Sequence, residues 1–467
     1  MDYVGEGMAK GFEIVQCGMI ASGAYCEIGS TRMVDFMLRT NFTSFVKGPA
    51  FRNVYHELLG QGIFATDGDI WRHHRKMSAF MFSQRVLTEH MLAVFIAHAY
   101  EVIAKLDKLA VSGEAIDMQE LFYFYTLDCI SEIAFGVQLH CLTANSQPQF
   151  ASSFDAAQEC CNLRWFVPPM ITKLKRAFNI GSEGALKKHI CVIDEVMNGL
   201  VDARLAADPT LYQDSPDLLS LYLNHHAKHT PTEVLDRKYL RDVVLNFMIA
   251  GRGQFGNGWS AKMHHALRHH THSFFVFFSV CVLSDTTAIG LTYLFFELAA
   301  HPKEEEIVSA HLSQHPVPLG EETKGLTADT LVHPSLNRLE AAWEEGLRLH
   351  PPIAMETKRV LTEVTFPDGT TLQPKVQVGY APYVVNRMKE NWGEDAQVFK
   401  AERWLAPITD DAPVAHDSIR EKGPVPSSAQ FLSFNHGPRI CLGKAMAYQV
   451  RHTRHHRIMM SAHRERR

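Results

Sequence analysis

This chain lacks an uninterrupted apolar run long enough to cross a bilayer. Residues Met1 to Ser30 are mixed, with short apolar pieces such as Cys17 to Ala21, so neither a signal peptide nor a membrane anchor is read there. The apolar run from Phe274 to Leu283 covers ten residues, about half of the roughly 20 that a spanning helix needs. An excess of one charge is also missing: 46 Lys and Arg stand against 51 Asp and Glu, a net charge of -5, and the basic residues are scattered. That pattern leaves no electrostatic footprint for nucleic acid. Proline, glycine and serine nowhere gather into a linker, and no repeat divides the 467 residues. One large domain is therefore expected, in place of the two or three that length alone would allow. The nine cysteines are odd in number, dispersed and free of metal-type pairs. They exclude a disulfide framework and predict a reducing compartment.

What is present is helical periodicity. Apolar residues recur at 3.6-residue spacing through 84–108, 116–136, 185–206, 240–251, 286–300 and 336–349. Strand signals are confined to Val360 to Leu372, around the turn Pro367-Asp368-Gly369-Thr370, and to Val376 to Tyr380. The expectation is a mainly α fold with a small β region.

One stretch carries far more chemistry than the rest. Phe434-Asn435-His436-Gly437-Pro438-Arg439-Ile440-Cys441-Leu442-Gly443 frames a single cysteine with an aromatic, an arginine and two glycines. It resembles the haem-binding loop of the cytochrome P-450 family, Phe-x-x-Gly-x-Arg-x-Cys-x-Gly, at all five fixed positions. The resemblance implies the P-450 fold, a triangular helical body with a small β region, and haem b held by Cys441 as iron ligand. A metal deprotonates a coordinating thiol, and a thiolate pushes electron density toward O–O cleavage. Phe434 then walls the sulfur off from water, Gly437 allows a turn that brings backbone close to the ligand, and Arg439 meets a haem propionate. Gly443 keeps the next turn clear of a side chain, and a helix beginning near Cys441 favours the negative sulfur through its dipole.

Other motifs stand where the resemblance requires them. Glu345 and Arg348, three apart, share one face of a helix that Pro351 and Pro352 end. The segment Phe399-Lys400-Ala401-Glu402-Arg403-Trp404 resembles the one that brings a second arginine, Arg403, to that glutamate, although the family usually has Pro where this chain has Ala401. A buried Glu between two Arg must be fully paired, so these residues are expected to lock the haem-side core. Trp71 and Arg75, one helical turn apart, are expected propionate contacts.

The oxygen-activating helix is interrupted. Leu245 to Arg252 resembles the first half of the family signature and Asp285-Thr286-Thr287-Ala288 the second, with Gly253 to Ser284 between them. Gly251 would relax the backbone over the iron, and Thr286 and Asp285 would deliver protons to bound O2. Residues 253–284 and 451–467 hold nine of the chain's 26 histidines, a bias read as translated intron sequence in place of a metal site. The expected organisation is a haem domain over 31–450, truncated at both ends, with an aberrant insert at 253–284 and an aberrant tail at 451–467.

Phe366 to Thr370, Tyr380 to Met388, Trp392 to Trp404, Gly48-Pro49 and Leu59 to Phe64 resemble the branch that hydroxylates fatty acids at or near the terminal carbon. The pocket is then expected along loop 50–65, at Asn246 and Phe247, and from Pro352 through Ile353 to Met355. The resemblance further implies O2 as co-substrate and electrons from NADPH through NADPH-cytochrome P-450 reductase. It also implies association with the cytosolic face of the endoplasmic reticulum membrane. Two other readings compete: a haem-binding but inactive fragment, and a membrane or histidine-metal module built on 253–284.

Overall fold

The computed structural model describes residues 14–19, 23–144, 146, 148–208, 215–229, 236–251, 286–314, 334–407 and 421–448. The helices that build and frame the site are, in chain order, α1 (Gly48–Leu59), α2 (Gly68–Met81), α3 (Leu92–Ser112), α4 (Met118–Phe135) and α5 (Gln149–Leu163). They continue as α6 (Pro169–Phe178), α7 (Gly181–Ala206), α8 (Arg237–Gly251), α9 (Thr286–Ala300) and α10 (Asn337–Leu349). Each of the six periodic segments is helical, the first as a run from Gln84 to Ser112 with a π turn at Leu87–Met91. The insert Gly253 to Ser284, Asp285 and the tail 451–467 lie outside the described residues.

Helix α4 forms the centre of the main core. Asp117 caps its start by accepting from Gln119 N and Glu120 N, and an apolar surface all round buries it on nearly every side. Helix α9 lies against α10 at two small residues. A Cβ on Gly290 would sit 2.8 Å from the Trp343 ring, and one on Gly346 would sit 3.8 Å from Leu294 Cα.

The β region is larger than expected. One sheet has the order β1-β2-β7-β4-β3, from β1 (Ile14–Met19), β2 (Gly23–Ile28), β3 (Phe45–Val46), β4 (Glu356–Val360) and β7 (Gln377–Tyr380). A hairpin of β5 (Val364–Thr365) and β6 (Thr371–Leu372) stands where the Asp368-Gly369 turn was read. The confinement of strands to 360–380 is therefore corrected. Along β2, consecutive Tyr25, Cys26, Glu27 and Ile28 are all buried, which erases the alternation by which a strand is read. The charged Glu-Thr-Lys-Arg start of β4 reads as loop because nothing local reveals that Lys358 is buried against Glu356. A second, smaller core packs Met33, Val34, Met37 and Leu38 against this sheet.

Candidate active site

The Cys441 loop and helices α2, α8, α9 and α10 share one cavity, lined mostly by apolar side chains. Trp71, Arg75, Asn246, Phe247, Thr286, Ile353, Phe434, Arg439, Cys441 and Gly443 all line it.

The cysteine loop is fastened from three sides. Inside it, Cys441 N donates to Phe434 O at 2.8 Å and Ile440 N to Gly437 O at 3.0 Å. On one flank, His436 bonds Asp35 Oδ1 at 2.8 Å and Ser428 Oγ at 2.7 Å. Gly437, at φ +69°, passes so close to Leu38 that a Cβ would lie 2.0 Å from its carbonyl oxygen. Approach to the Leu38 backbone thus demands a glycine here. On the other flank, Asn386 accepts from Leu432 N at 3.0 Å and donates to Ser433 Oγ at 3.0 Å. Burial raises the Cys441 thiol pKa, opposed by backbone N–H groups of Gly443 and Lys444 and by the charges of Arg75 and Lys444. The following helical segment begins at Lys444, three residues beyond the expected start.

Asn386 leads directly to the predicted ionic cluster. Arg348 Nη1 donates to Asn386 O at 2.8 Å, and Arg348 binds both oxygens of Glu345, each at 2.8 Å. Glu345 and Arg348 are 0% exposed, so a missing partner would leave a bare buried charge. None is missing: Arg403 Nε reaches Glu345 Oε1 at 3.1 Å, Lys400 N the same oxygen at 2.9 Å, and Trp404 Nε1 reaches Oε2 at 3.0 Å. Ala401 opens the short 3₁₀ helix Ala401–Trp404 that sets Arg403 and Trp404 in place. The Lys400 and Trp404 bonds were not foreseen, though both residues sit inside the quoted motif.

Arg439 has its guanidinium carbon 4.6 Å above the Trp71 ring and donates from Nη2 to Thr66 O at 2.8 Å and Asp67 Oδ1 at 3.0 Å. Its Nε is buried with no hydrogen-bond partner. Nearby, Glu356 accepts from Lys358 Nζ at 2.7 Å, from Asn435 Nδ2 at 3.0 Å, and from Lys47 and Tyr380. Burial alone would raise the Glu356 pKa, but Lys358 and Lys47 hold it well below the usual carboxylate range. Lys47, Arg75 and Arg439 against Glu356 leave the cavity lining cationic. That surplus, with an orphaned arginine N–H, fits the two propionates of a haem, and the sulfur of Cys441 faces the same space. Lys47, Glu356 and Asn435 were missed; only Asn435 lies inside a motif that could have flagged it.

Residues 22–253 and 284–453 match the sequence model of the family described as cytochrome P-450. The chain belongs to the cytochrome P-450 family. It is similar to cytochrome P-450 704C1 of Pinus taeda, 33% identical over 89% of this chain and 74% of that protein. It is also similar to cytochrome P-450 704B1 of Arabidopsis thaliana, 30% identical over 91% and 78%, and to cytochrome P-450 94C1 of Arabidopsis thaliana, 30% identical over 89% and 73%. The family is one of monooxygenases, which use haem b, O2 and electrons delivered by a reductase. Among the described residues no helix is long and apolar enough to cross a membrane.

In this P-450 helices α8 and α9 also contribute to the cavity wall. Phe247 packs on Phe82, ring centroids 6.1 Å apart, and Thr286 and Thr287 stand at the start of α9. Asn246 lines the cavity too, but its amide is taken up by backbone: Nδ2 donates to Leu59 O and Asp242 O, and Oδ1 accepts from Phe64 N.

Proposed function

We propose that this P-450 inserts one atom of O2 into a C–H bond of a fatty acid at or near its terminal carbon. Electrons come from NADPH through NADPH-cytochrome P-450 reductase. The observation that carries this reading is the cavity itself, which sets Cys441 and three cations among apolar side chains such as Phe64, Phe82, Phe247 and Ile353. Bound there, haem b supplies the activation of O2. Cys441 serves as the iron's thiolate ligand, its charge stabilised by the Gly443 and Lys444 N–H groups. Arg439, Trp71 and Arg75 hold the propionates, and the Glu345, Arg348 and Arg403 cluster keeps the loop at a fixed height. The Thr286 hydroxyl passes protons at the oxygen side, with Asp285 beside it in sequence, and Phe434 excludes water from the sulfur. The apolar wall holds an alkyl chain by burial alone. Incubating the reductase-coupled, haem-loaded protein with lauric or palmitic acid should give the terminally hydroxylated acid; no binding shift and no product would overturn the substrate class.

Association with a membrane surface, by inference that of the endoplasmic reticulum, has support in α6. Its Met170, Leu174 and Phe178 are 74%, 54% and 71% exposed, beside Lys173, Lys175 and Arg176.

A second reading, haem binding without turnover, is favoured by one observation: the family match stops at residue 253 and resumes at 284. An insert between Gly251 and Thr286 must either loop out or break the helix, and on this reading it breaks the helix and with it the geometry of proton delivery. Deleting residues 253–284 should raise haem content and turnover. Full loading and fatty-acid hydroxylation by the intact chain would show the insert to be an accommodated loop.

A further inference from the structure

The loop from Leu59 to Phe64 carries two cavity-lining side chains, Ile63 and Phe64, and a loop in that position would ordinarily be free to breathe. Here it is bound along its length to α8. Arg241, buried and paired with Asp194, donates to Glu57 O at 3.2 Å and Leu58 O at 3.1 Å. Asn246 Nδ2 donates to Leu59 O at 2.9 Å, Asp242 Oδ2 accepts from Gln61 N at 2.9 Å, and Asn246 Oδ1 accepts from Phe64 N at 3.3 Å. Asp242 and Asn246 are each 2% exposed, so these bonds are sheltered from water and their loss leaves buried groups unsatisfied. The fit is also steric. A Cβ on Gly60 would lie 2.0 Å from Asp242 Oδ2, and one on Gly62 would lie 2.0 Å from Asn246 Nδ2.

Both Asn246 amide protons point at backbone carbonyls, so this side chain has none left for a substrate. We propose that Asp242 and Asn246 are positioning residues: they clamp loop 59–64 to α8 so that Ile63 and Phe64 stand fixed beside Phe247 and decide which C–H bond reaches the iron. The statement about C–H selection rests on the fatty-acid reading; the clamp does not. Loop and helix form one wall, and the selectivity of that wall comes from two polar side chains that never touch the substrate.

The test uses the full haem-loaded chain with four variants: Asn246→Asp, Asn246→Ala, Gly62→Ala, and Gly62→Ala combined with Asn246→Ala. Asn246→Asp turns a donor facing two carbonyl oxygens into an acceptor. Gly62→Ala leaves Asn246 chemically intact and pushes the loop off with one methyl group, which guards against an Asp variant that fails to fold. In variants that keep the thiolate-type absorbance of the CO-bound haem, amide exchange over residues 59–64 should quicken about tenfold or more. Discrimination between 4-phenylimidazole and imidazole at the iron should narrow, and with lauric acid the ratio of terminal to in-chain product should fall several-fold. The double variant should match Asn246→Ala alone, because the methyl then has room. Unchanged exchange and unchanged azole discrimination would overturn the clamp. Faster exchange with an unaltered product ratio would overturn its part in selectivity. Failure of the wild-type enzyme to oxidise any fatty acid would overturn the substrate class alone, and exchange with azole discrimination would still decide the clamp.

Discussion

The cavity has two kinds of wall. Around Cys441, polar groups are cross-linked: Glu345 has five hydrogen bonds from Arg348, Arg403, Lys400 and Trp404, and Asn386 passes that rigidity to the loop. Elsewhere Ile63, Phe64, Phe82, Phe247 and Ile353 face the cavity with aromatic and aliphatic side chains, joined by Asn246, Thr286 and Thr287 of α8 and α9. On the proposed reading the first wall holds an iron ligand at a fixed point, which takes particular donors and acceptors at particular spacing. The second must only exclude water and shape an apolar channel, which many side chains can do.

Removing the ligand breaks the comparison at its strongest point. Cys441→Ala should abolish the thiolate-type band of the reduced, CO-bound haem and all turnover, whereas Cys129→Ala, at a buried thiol in α4, should keep both. Retention of that band in a folded Cys441→Ala protein would refute the assignment.

The next effect separates the walls. Glu345→Ala or Arg348→Ala leaves an uncompensated buried charge, typically costing about 3–5 kcal/mol, a large part of a domain's net stability. Haem content measured after purification should collapse. Phe247→Leu, on the apolar wall, should keep its haem and change product position or KM. Normal haem with slowed turnover in the Glu345 variant would mean that the cluster is catalytic and that the two walls do not divide the work as argued.

A third prediction concerns the sheet edge of the site. Tyr25 OH lies 3.5 Å from Met355 Sδ and donates to Glu27, whose other oxygen has no hydrogen-bond partner. Burial raises the Glu27 pKa from 4.5 to about 8, with the Tyr25 hydroxyl opposing. Because the folded value lies above the unfolded one, the contribution is fully present below pH 4.5 and is lost as pH rises through about 8. Thermal midpoints should fall across that window, and Glu27→Gln should flatten the fall. An identical slope in the variant would show that other groups govern the alkaline limb.

The same contrast governs what was legible in the sequence. Cys441, Arg439, Glu345, Arg348 and Arg403 could be read because their chemistry admits few substitutes, and the cavity or cluster gathers each of them. Six helical runs were legible from their apolar spacing, whereas α1, α5 and α6 were not read as helices. Lys47 and Asn386 escaped because their partners lie far off in sequence, as between Lys47 and Glu356 or Asn386 and Leu432, and no local spacing records such a pairing; Glu356 also pairs with nearby Lys358, but nothing local shows that pair to be buried. Asn246 was read as a pocket residue from its place on the oxygen-side helix. Its hold on Leu59 and Phe64 is a tertiary fact.

The smallest effect tests the one visible departure in the cross-linked wall. Ala401 replaces the proline usual in the family, yet its surroundings still suit proline. Lys400 before it is extended, at φ -152° and ψ 91°, as the residue preceding a proline should be. Ala401 is the first residue of its 3₁₀ helix, where a missing N–H is tolerated, and its N–H has no acceptor among the described residues. Ala401→Pro removes freedom from the unfolded chain alone, so it should stabilise by about 0.4–1 kcal/mol. Calorimetry of the haem-loaded protein should show a rise of about 1–4 °C, with haem content and product position unaltered. The site is buried, so a ring that does not fit would reverse the sign. A lowered midpoint with less haem would mean that the 3₁₀ turn has settled around alanine and that Arg403 reaches Glu345 only in that altered frame.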